Sequence, residues 1–127
     1  IPTIIKKVLA KEPVGIFGKG LEKRSWLHVR DNWEAIKILF KNGKIGESYL
    51  IGGKTELSNN QVVDIVSEIF EKYGYILKKE FIEQRLAHDK RYACDSHKMR
   101  GLGWKPEISF KDGLEDLIKF YVKKFSR

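Results

Sequence analysis

Stretches of apolar residues at helical spacing, separated by short alternating segments, most strongly constrain the fold of this chain. The clearest stretch opens with Ser58-Asn-Asn-Gln61, a pattern typical of a helix capping box, and Gly74 marks its end. Apolar residues recur at spacings of three and four between these signals, so one helical face is predicted to be buried. Asn59, ahead of this stripe, is interpreted as a cap of the helix.

The same patterns place the remaining elements. Further helices are predicted at residues 1–9 before Pro13, from a cap at Asp31 to Asn42-Gly43, from Asp95, and after a cap at Ser109. Extended segments are predicted at residues 16–17, 25–29, 48–51, 76–82 and 91–94. Helices and strands therefore alternate without a repeat, which predicts a small mixed α/β domain rather than a complete doubly wound sheet.

Length and composition indicate one domain over residues 1–127, with 42% hydrophobic residues to form a core. No apolar run reaches the roughly 18 residues of a membrane span. The single cysteine, Cys94, excludes an internal disulfide and is expected to be a small buried hydrophobe. Because the first residue is Ile1, we expect a piece of a longer protein. The lack of an apolar span or signal segment and the single cysteine predict a cytoplasmic location.

The net charge of +8 allows an anionic partner, with nucleic acid as one candidate. The lysines are dispersed among glutamates along the predicted helical faces, however, as on an ordinary solvated surface. A basic nucleic-acid-binding domain therefore stays a less favoured alternative.

Two motifs that suggest redox chemistry lie in the wrong local context. The glycine-rich residues 15–20 lead into a strand, whereas a dinucleotide-binding fingerprint follows a strand and opens a helix. Tyr75 and Lys79 have the spacing of a catalytic pair, but they follow the helix that Gly74 ends.

The three histidines show no metal-ligand spacing with Cys94 or with one another. We therefore expect neither cofactor binding nor catalysis from residues 1–127 alone.

Arg24 and Arg85 are candidates for binding a phosphorylated ligand. A planar guanidinium donates bidentate, charge-assisted hydrogen bonds that orient a diphosphate. Arg24 follows a glycine turn and precedes Trp26. The alternative is that each arginine is a surface residue or pairs with an acid such as Asp31 or Asp89.

A series of motifs in fixed order resembles the carboxy-terminal half of the dTDP-glucose 4,6-dehydratases, which are extended short-chain dehydrogenases/reductases. The resemblance covers essentially the whole chain. Its motifs are Ile1-Pro2, Ile16-Phe-Gly18, Arg24-Ser-Trp-Leu27, Val29-Arg-Asp31, Tyr49-Leu-Ile-Gly-Gly53, Arg85-Leu-Ala-His-Asp-Lys-Arg-Tyr92 and Leu102-Gly-Trp-Lys-Pro106.

The resemblance implies the nucleotide-sugar-binding part of an NAD-dependent lyase. Its amino-terminal Rossmann half, which would bind NAD and carry the catalytic residues, is absent from this chain. The complete enzyme would oxidise the sugar at C4, eliminate water across C5 and C6, and return the hydride to C6. A homodimer is a further expectation. Another nucleotide-sugar epimerase or decarboxylase, and a non-catalytic sugar-nucleotide-binding module, stay open as alternatives.

Family contacts with the nucleotide sugar carry over by position. They map to Ile1 and Pro2 in the opening segment, Ile16 and Phe17 at the base, Arg24 and Arg85 at the diphosphate, and His88 nearby. The chain departs from the family pattern at Phe17 for tyrosine, Ser25 for aspartate, Leu50 for asparagine, and Leu86-Ala87 for Pro-Gly.

Leu50 is the sharpest of these departures, because the family asparagine hydrogen-bonds the ligand. The leucine side chain either faces the ligand or packs inward against Val62 and Val63. We expect the first arrangement, in a site that is retained but altered.

Overall fold

The computed structural model describes residues 1–84 and 89–125, in which helices alternate with short strands. The predicted mixed α/β class is confirmed. The elements are α1 Pro2–Leu9, β1 Val14–Phe17, β2 Lys23–Trp26, α2 Val29–Asn42, β3 Thr55–Ser58, α3 Asn59–Glu71, β4 Lys79–Ile82, β5 Arg91–Tyr92, α4 His97–Gly101 and α5 Phe110–Phe125. None of the helices in these two ranges is both long enough and apolar enough to cross a membrane.

The strands of the described residues form two small sheets. β1 and β4 pair in parallel, with Phe17 opposite Ile82 at the end of the pairing. β2 lies between β3, to which it is antiparallel, and β5, to which it is parallel. β2 therefore determines where the residues of both its neighbours lie.

Two apolar clusters support these sheets. The larger one joins α1, α3 and α5 over β1; its buried residues are Ile5, Val8, Val14, Ile16, Val62, Val63, Val66, Ile69, Phe70, Leu114 and Ile118. The smaller one consists of Ala35, Met99 and Trp104, against which Tyr49 and Ile51 pack. Burial of these side chains is the main term that stabilises the fold.

The start of α3 confirms the predicted capping box. The Ser58 hydroxyl accepts from the Gln61 backbone N–H at 3.2 Å, and the Gln61 side-chain oxygen Oε1 accepts from the Ser58 backbone N–H at 2.8 Å. The interpretation of Asn59 as a cap is wrong. Asn59 is the first residue of α3, and its side-chain amide donates to the carboxylate of Glu22 at 3.2 Å.

Asp31 does not cap α2, which corrects a second sequence prediction. The cap is His28, whose Nδ1 accepts from the Arg30 backbone N–H at 3.2 Å. Asp31 lies in the first turn and is only 4% exposed. Its carboxylate accepts from the backbone N–H groups of Glu107 and Ile108, each at 3.1 Å, and so ties α2 to the segment ahead of α5.

Strand boundaries also differ from the predictions. Residues 48–51 form no strand, because no described strand lies beside them, and β3 forms at Thr55–Ser58 instead. The strand predicted at residues 25–29 is β2, which ends at Trp26 because His28 already caps α2. The strands predicted at residues 76–82 and 91–94 are shorter, as β4 and β5. α4 begins at His97, two residues after Asp95.

Three single-residue predictions have clear outcomes. Cys94 is exposed, so the expectation that it is buried is wrong. Tyr75 follows α3 and Lys79 opens β4, which confirms that they share no helical face. The Ser109 hydroxyl accepts from the Asp112 backbone N–H at 3.1 Å, as expected of a cap.

An ion pair bridges the two outer strands of the β3–β2–β5 sheet. The Arg91 guanidinium on β5 donates from Nε and Nη2 to the two Glu56 carboxylate oxygens on β3, each at 2.7 Å. This hydrogen bonding, with the positive charge of Arg91, lowers the pKa of Glu56. A lowered pKa in the folded state means that the pair stabilises above the ordinary glutamate pKa and is lost as the pH falls through the lowered value.

The first prediction concerns Asp31. Asp31 is buried, and Asp31→Asn leaves one of its two part-buried backbone N–H partners without an acceptor, so we expect the free energy of unfolding to fall by about 1 kcal/mol. Urea denaturation followed by circular dichroism measures it. The exposed Asp116 on α5 gives the matched control, Asp116→Asn, which removes the same charge. Equal stability of the two variants would contradict the role of Asp31.

The second prediction concerns Glu56. Carboxyl carbon chemical shifts followed by NMR against pH should give a Glu56 pKa below the ordinary value of about 4.3. Arg91→Gln should return the pKa to that value, because it removes both the charge and the bidentate geometry. A Glu56 pKa that is the same in both proteins would show that the ion pair does not form in solution.

Candidate functional site

Arg24 lies on the central strand β2 and is held in one orientation. Its guanidinium stacks over the ring of Tyr92 at 4.4 Å from the centroid. It also donates to the backbone oxygens of Lys23 at 2.8 Å and Asp89 at 3.1 Å. Planar stacking with polar contacts is a favourable cation–π arrangement, so the charge is placed before any ligand arrives.

A cavity of about 350 Å³ opens beside this guanidinium. The described residues that line it are Arg24, Ser25, Leu27, Ile51, Gly52, Gly53, Tyr92, Ala93 and Cys94. The cavity combines a cation and an aromatic ring with half-buried glycine backbone, and Leu27, Ile51 and Ala93 make much of the rest of its wall apolar. These groups suit an anion attached to a larger polar molecule.

The pair Gly52-Gly53 forms one wall of the cavity and is tied to both neighbouring elements. A Cβ on Gly53 would lie 1.7 Å from the Trp26 backbone oxygen, so only glycine allows this approach to β2. The Ser25 hydroxyl donates to the Gly53 oxygen, and the Gly52 N–H donates to the Ser96 hydroxyl, each at 2.8 Å. The glycines therefore keep a side-chain-free wall in a fixed position.

Tyr92 has a second contact besides the one with Arg24. Its hydroxyl donates to the Asp89 carboxylate. This hydrogen bond and the negative charge of Asp89 raise the pKa of Tyr92, while the nearby Arg24 lowers it. At neutral pH the phenol is protonated, so it can donate to the Asp89 carboxylate.

The other predicted contact residues lie elsewhere in the described structure. Ile16 is 3% exposed and belongs to the larger apolar cluster, so a ligand would reach only its backbone. Phe17 is half-buried at the end of β1, in the other sheet. Ile1 and Pro2 lie at the start of α1. None of these four residues lines the cavity beside Arg24.

A second cavity, of about 420 Å³, has Ile1 on its wall. Trp26, Leu27, Val29, Phe110 and Leu117 make it predominantly apolar. The indole N–H of Trp26, one of the lining residues, is buried and has no hydrogen-bond partner in the described part of the chain. We assign the candidate site to the smaller cavity, because that is where the oriented guanidinium lies.

Leu50 does not pack inward. Its side chain is 59% exposed, whereas its neighbours Tyr49 and Ile51 pack against the smaller apolar cluster. It is not among the residues that pack against the cluster of Val62 and Val63. Leu50 therefore projects from the segment that leads into the glycine wall, and whether it contacts ligand stays a prediction.

Arg85 and His88 lie outside the described residues, so the predicted convergence of Arg24 and Arg85 stays a prediction. Sequence reasoning grouped Tyr92 with Arg24, Arg85 and His88 in a retained site but gave it no contact, and it missed the Ser25–Gly53 contact. The aromatic residue at the end of the Arg85–Tyr92 motif was the available signal for Tyr92. Nothing in the sequence pattern pointed to the Ser25 contact, which depends on the pairing of distant segments.

Comparison with known proteins agrees with this architecture. The sequence model of the family described as GDP-mannose 4,6 dehydratase matches residues 1–117. The low-salt glycan biosynthesis protein Agl12 of Haloferax volcanii is 40% identical over 123 residues, which cover 96% of this chain and 39% of that protein.

Two solved structures show the same likeness in three dimensions. The dTDP-glucose 4,6-dehydratase of Bacillus anthracis, in complex with NAD, has a TM-score of 0.86 and 32% identity, over 96% of this chain and 38% of that one. The UDP-glucose 4-epimerase of Thermotoga maritima, with UDP-glucose, has a TM-score of 0.86 and 26% identity, over the same shares of the two chains.

The chain thus spans less than two fifths of the length of these relatives. Within that span the order of motifs, the fold and the family match agree. This chain belongs to the GDP-mannose 4,6 dehydratase family of extended short-chain dehydrogenases/reductases.

Proposed function

We propose that this chain is the nucleotide-sugar-binding part of an NAD-dependent lyase of the dTDP-glucose 4,6-dehydratase type. The observation that carries the proposal is the oriented guanidinium of Arg24 beside a cavity with a glycine wall. A diphosphate needs such a fixed, multidonor cation, and the close packing of Gly52 and Gly53 against Cys94 and β2 fixes the wall beside it.

The remaining contacts are assigned along the ligand from this diphosphate. Phe17 would stack on the base, with Ile1, Pro2 and Ile16 in the adjoining segments. Arg85 would be the second diphosphate ligand, with His88 beside it. Leu50 would lie near the position where the family asparagine contacts the ligand.

In the complete enzyme, NAD would be bound by a Rossmann half outside residues 1–127. The B. anthracis relative, solved in complex with NAD, supports this assignment. NAD would supply reversible hydride transfer, which allows C4 oxidation, elimination of water across C5 and C6, and reduction at C6 without net redox change. The present residues would bind and orient the nucleotide. A cytoplasmic location and a homodimer stay predictions.

A nucleotide-sugar epimerase is the second candidate, because the T. maritima epimerase matches the fold with the same TM-score as the dehydratase. Both candidates share the diphosphate site and differ in base, sugar and catalytic half. The charge distribution gives less support to nucleic acid as a ligand, because many of the described cations lie in exposed ion pairs with acids.

The third prediction concerns Arg24. Arg24→Ala should weaken dTDP binding to the chain by about 2 kcal/mol, or about thirtyfold, because a hydrogen-bonded charge pair is lost. Arg24→Lys should recover only part of the affinity, since lysine keeps the charge but lacks the planar fork. Isothermal titration calorimetry measures both affinities.

Arg30→Ala provides the matched control, because Arg30 is an exposed arginine at the start of α2. It should leave dTDP affinity unchanged. If wild-type protein does not bind dTDP, or if both alanine variants weaken binding equally, the proposed site is wrong.

The fourth prediction concerns Leu50. Leu50→Asn should strengthen dTDP-glucose binding by about 1 kcal/mol, because it supplies a hydrogen-bond partner at the ligand. UDP-glucose, titrated alongside, shows whether the gain depends on the base. Ile45→Asn is the control, since Ile45 is a fully exposed apolar residue in the same connection. Unchanged affinity for both nucleotide sugars would show that Leu50 does not touch the ligand.

A further inference from the structure

Glu22 is a carboxylate buried between β1 and β2, with 7% of its surface exposed. Its two oxygens accept from two side-chain amides: Oε1 from Gln84 Nε2 at 2.6 Å, and Oε2 from Asn59 Nδ2 at 3.2 Å. Its backbone oxygen also accepts from the Asn59 backbone N–H at 3.1 Å. Burial of a carboxylate costs free energy unless donors compensate it, so these amides are held firmly in place.

Gln84, which is hydrogen-bonded to Glu22, also contacts the turn of residues 18–20 that follows β1. A Cβ on Gly18 would lie 2.6 Å from Gln84 Oε1, so the amide group lies directly against the glycine backbone. Gly18 has a φ of +53°, and its N–H donates to the Ile82 backbone oxygen at 2.9 Å. Glu22 thus holds Gln84, and Gln84 covers the first glycine of the turn.

The start of α3 is hydrogen-bonded to the other end of the turn of residues 18–20. The Asn60 backbone N–H donates to the Gly20 oxygen at 3.0 Å, and the Gly20 N–H donates to the Phe17 oxygen at 3.0 Å. Because Glu22 also binds Asn59, the same carboxylate fixes both supports of the turn. Phe17 lies directly before the turn, at the end of the β1–β4 pairing, and its backbone oxygen accepts from the turn through the Gly20 N–H.

We propose that Glu22 is a positioning residue for base recognition, which it serves by fixing the turn of residues 18–20 and, through it, Phe17. The proposal rests on the proposed function, in which Phe17 contacts the base. It adds that a buried acid without ligand contact controls how well that base is bound.

A carboxylate suits this role because it offers an acceptor to each of the two amides at once. In Glu22→Gln the side chain keeps its shape, but its NH₂ group faces the NH₂ group of Gln84 or Asn59. A flip of that neighbouring amide, which exchanges its oxygen and nitrogen, relieves part of this donor–donor repulsion. Alanine removes both acceptors and leaves the two part-buried amide donors without Glu22. The variants should therefore rank wild type, Glu22→Gln, Glu22→Ala in decreasing affinity.

The test compares dTDP with inorganic pyrophosphate as probes, both titrated by NMR. Misplacement of a contact group by a fraction of an ångström is expected to weaken dTDP binding by about tenfold in Glu22→Ala and less in Glu22→Gln. Pyrophosphate binding should stay unchanged, because it does not use Phe17. Arg24→Ala, in contrast, should weaken both probes. Glu68→Ala is the control, since Glu68 forms only an exposed ion pair with Lys111 in the described contacts.

Two further measurements separate positioning from general loss of structure. Gln84→Ala should reproduce part of the loss of dTDP affinity, because the contact of Glu22 with Asn59 remains. The double variant should bind dTDP no more weakly than Glu22→Ala, since the contribution of Gln84 depends on Glu22. Amide hydrogen exchange of residues 17–20 should accelerate in Glu22→Ala, while the amides of α5 keep their protection.

The outcomes distinguish this inference from the proposed function. If wild-type protein binds neither probe, the proposed function fails, and the exchange measurement alone judges whether Glu22 fixes the turn. If wild-type protein binds dTDP but Glu22→Ala keeps the affinity, or loses both probes equally, the positioning role is wrong. Unchanged exchange at residues 17–20 would also overturn it.

Discussion

The pairing of β2 with strands on both its edges is the constraint on which the candidate site depends. Arg24 lies opposite Leu57 on β3 and opposite Tyr92 on β5. This register places Tyr92 under the guanidinium and brings the Asp89 oxygen within reach. The bidentate Arg91–Glu56 pair joins the outer strands across β2 and reinforces the same register. A slip by one residue would turn Arg24 to the opposite face of the sheet.

The cavity combines rigid backbone with a small number of charged groups. Gly53 lies too close to β2 for any other residue, while Ser96, buried at the start of α4, holds Gly52. Asp31 ties α2 to the segment that leads into α5. Buried polar residues thus fix the connections, and the apolar clusters fix the helices. Preorganisation of this kind reduces the ordering cost when a ligand binds.

Sequence patterns predicted the helices well, because their signals are local. Ser58 with Gln61, and Ser109 with Asp112, act within one helical turn, so spacing alone identifies them. Patterns failed where the outcome depends on distant partners. Asp31 resembles a cap, but its acceptors serve residues 107 and 108. Residues 48–51 alternate like a strand but lack a neighbouring strand in the described structure, and Cys94 lies at the cavity rather than in the core.

The same distinction applies to the site. The order of motifs identified Arg24 and the glycine pair, but Tyr92, Ser25 and Glu22 contribute through contacts that only the folded chain brings together. The most direct test of the account is a crystal structure of the protein soaked with dTDP. We expect the diphosphate within hydrogen-bond distance of the Arg24 guanidinium, against Gly52-Gly53. Nucleotide density in the apolar cavity beside Ile1, with the Arg24 cavity empty, would contradict the account.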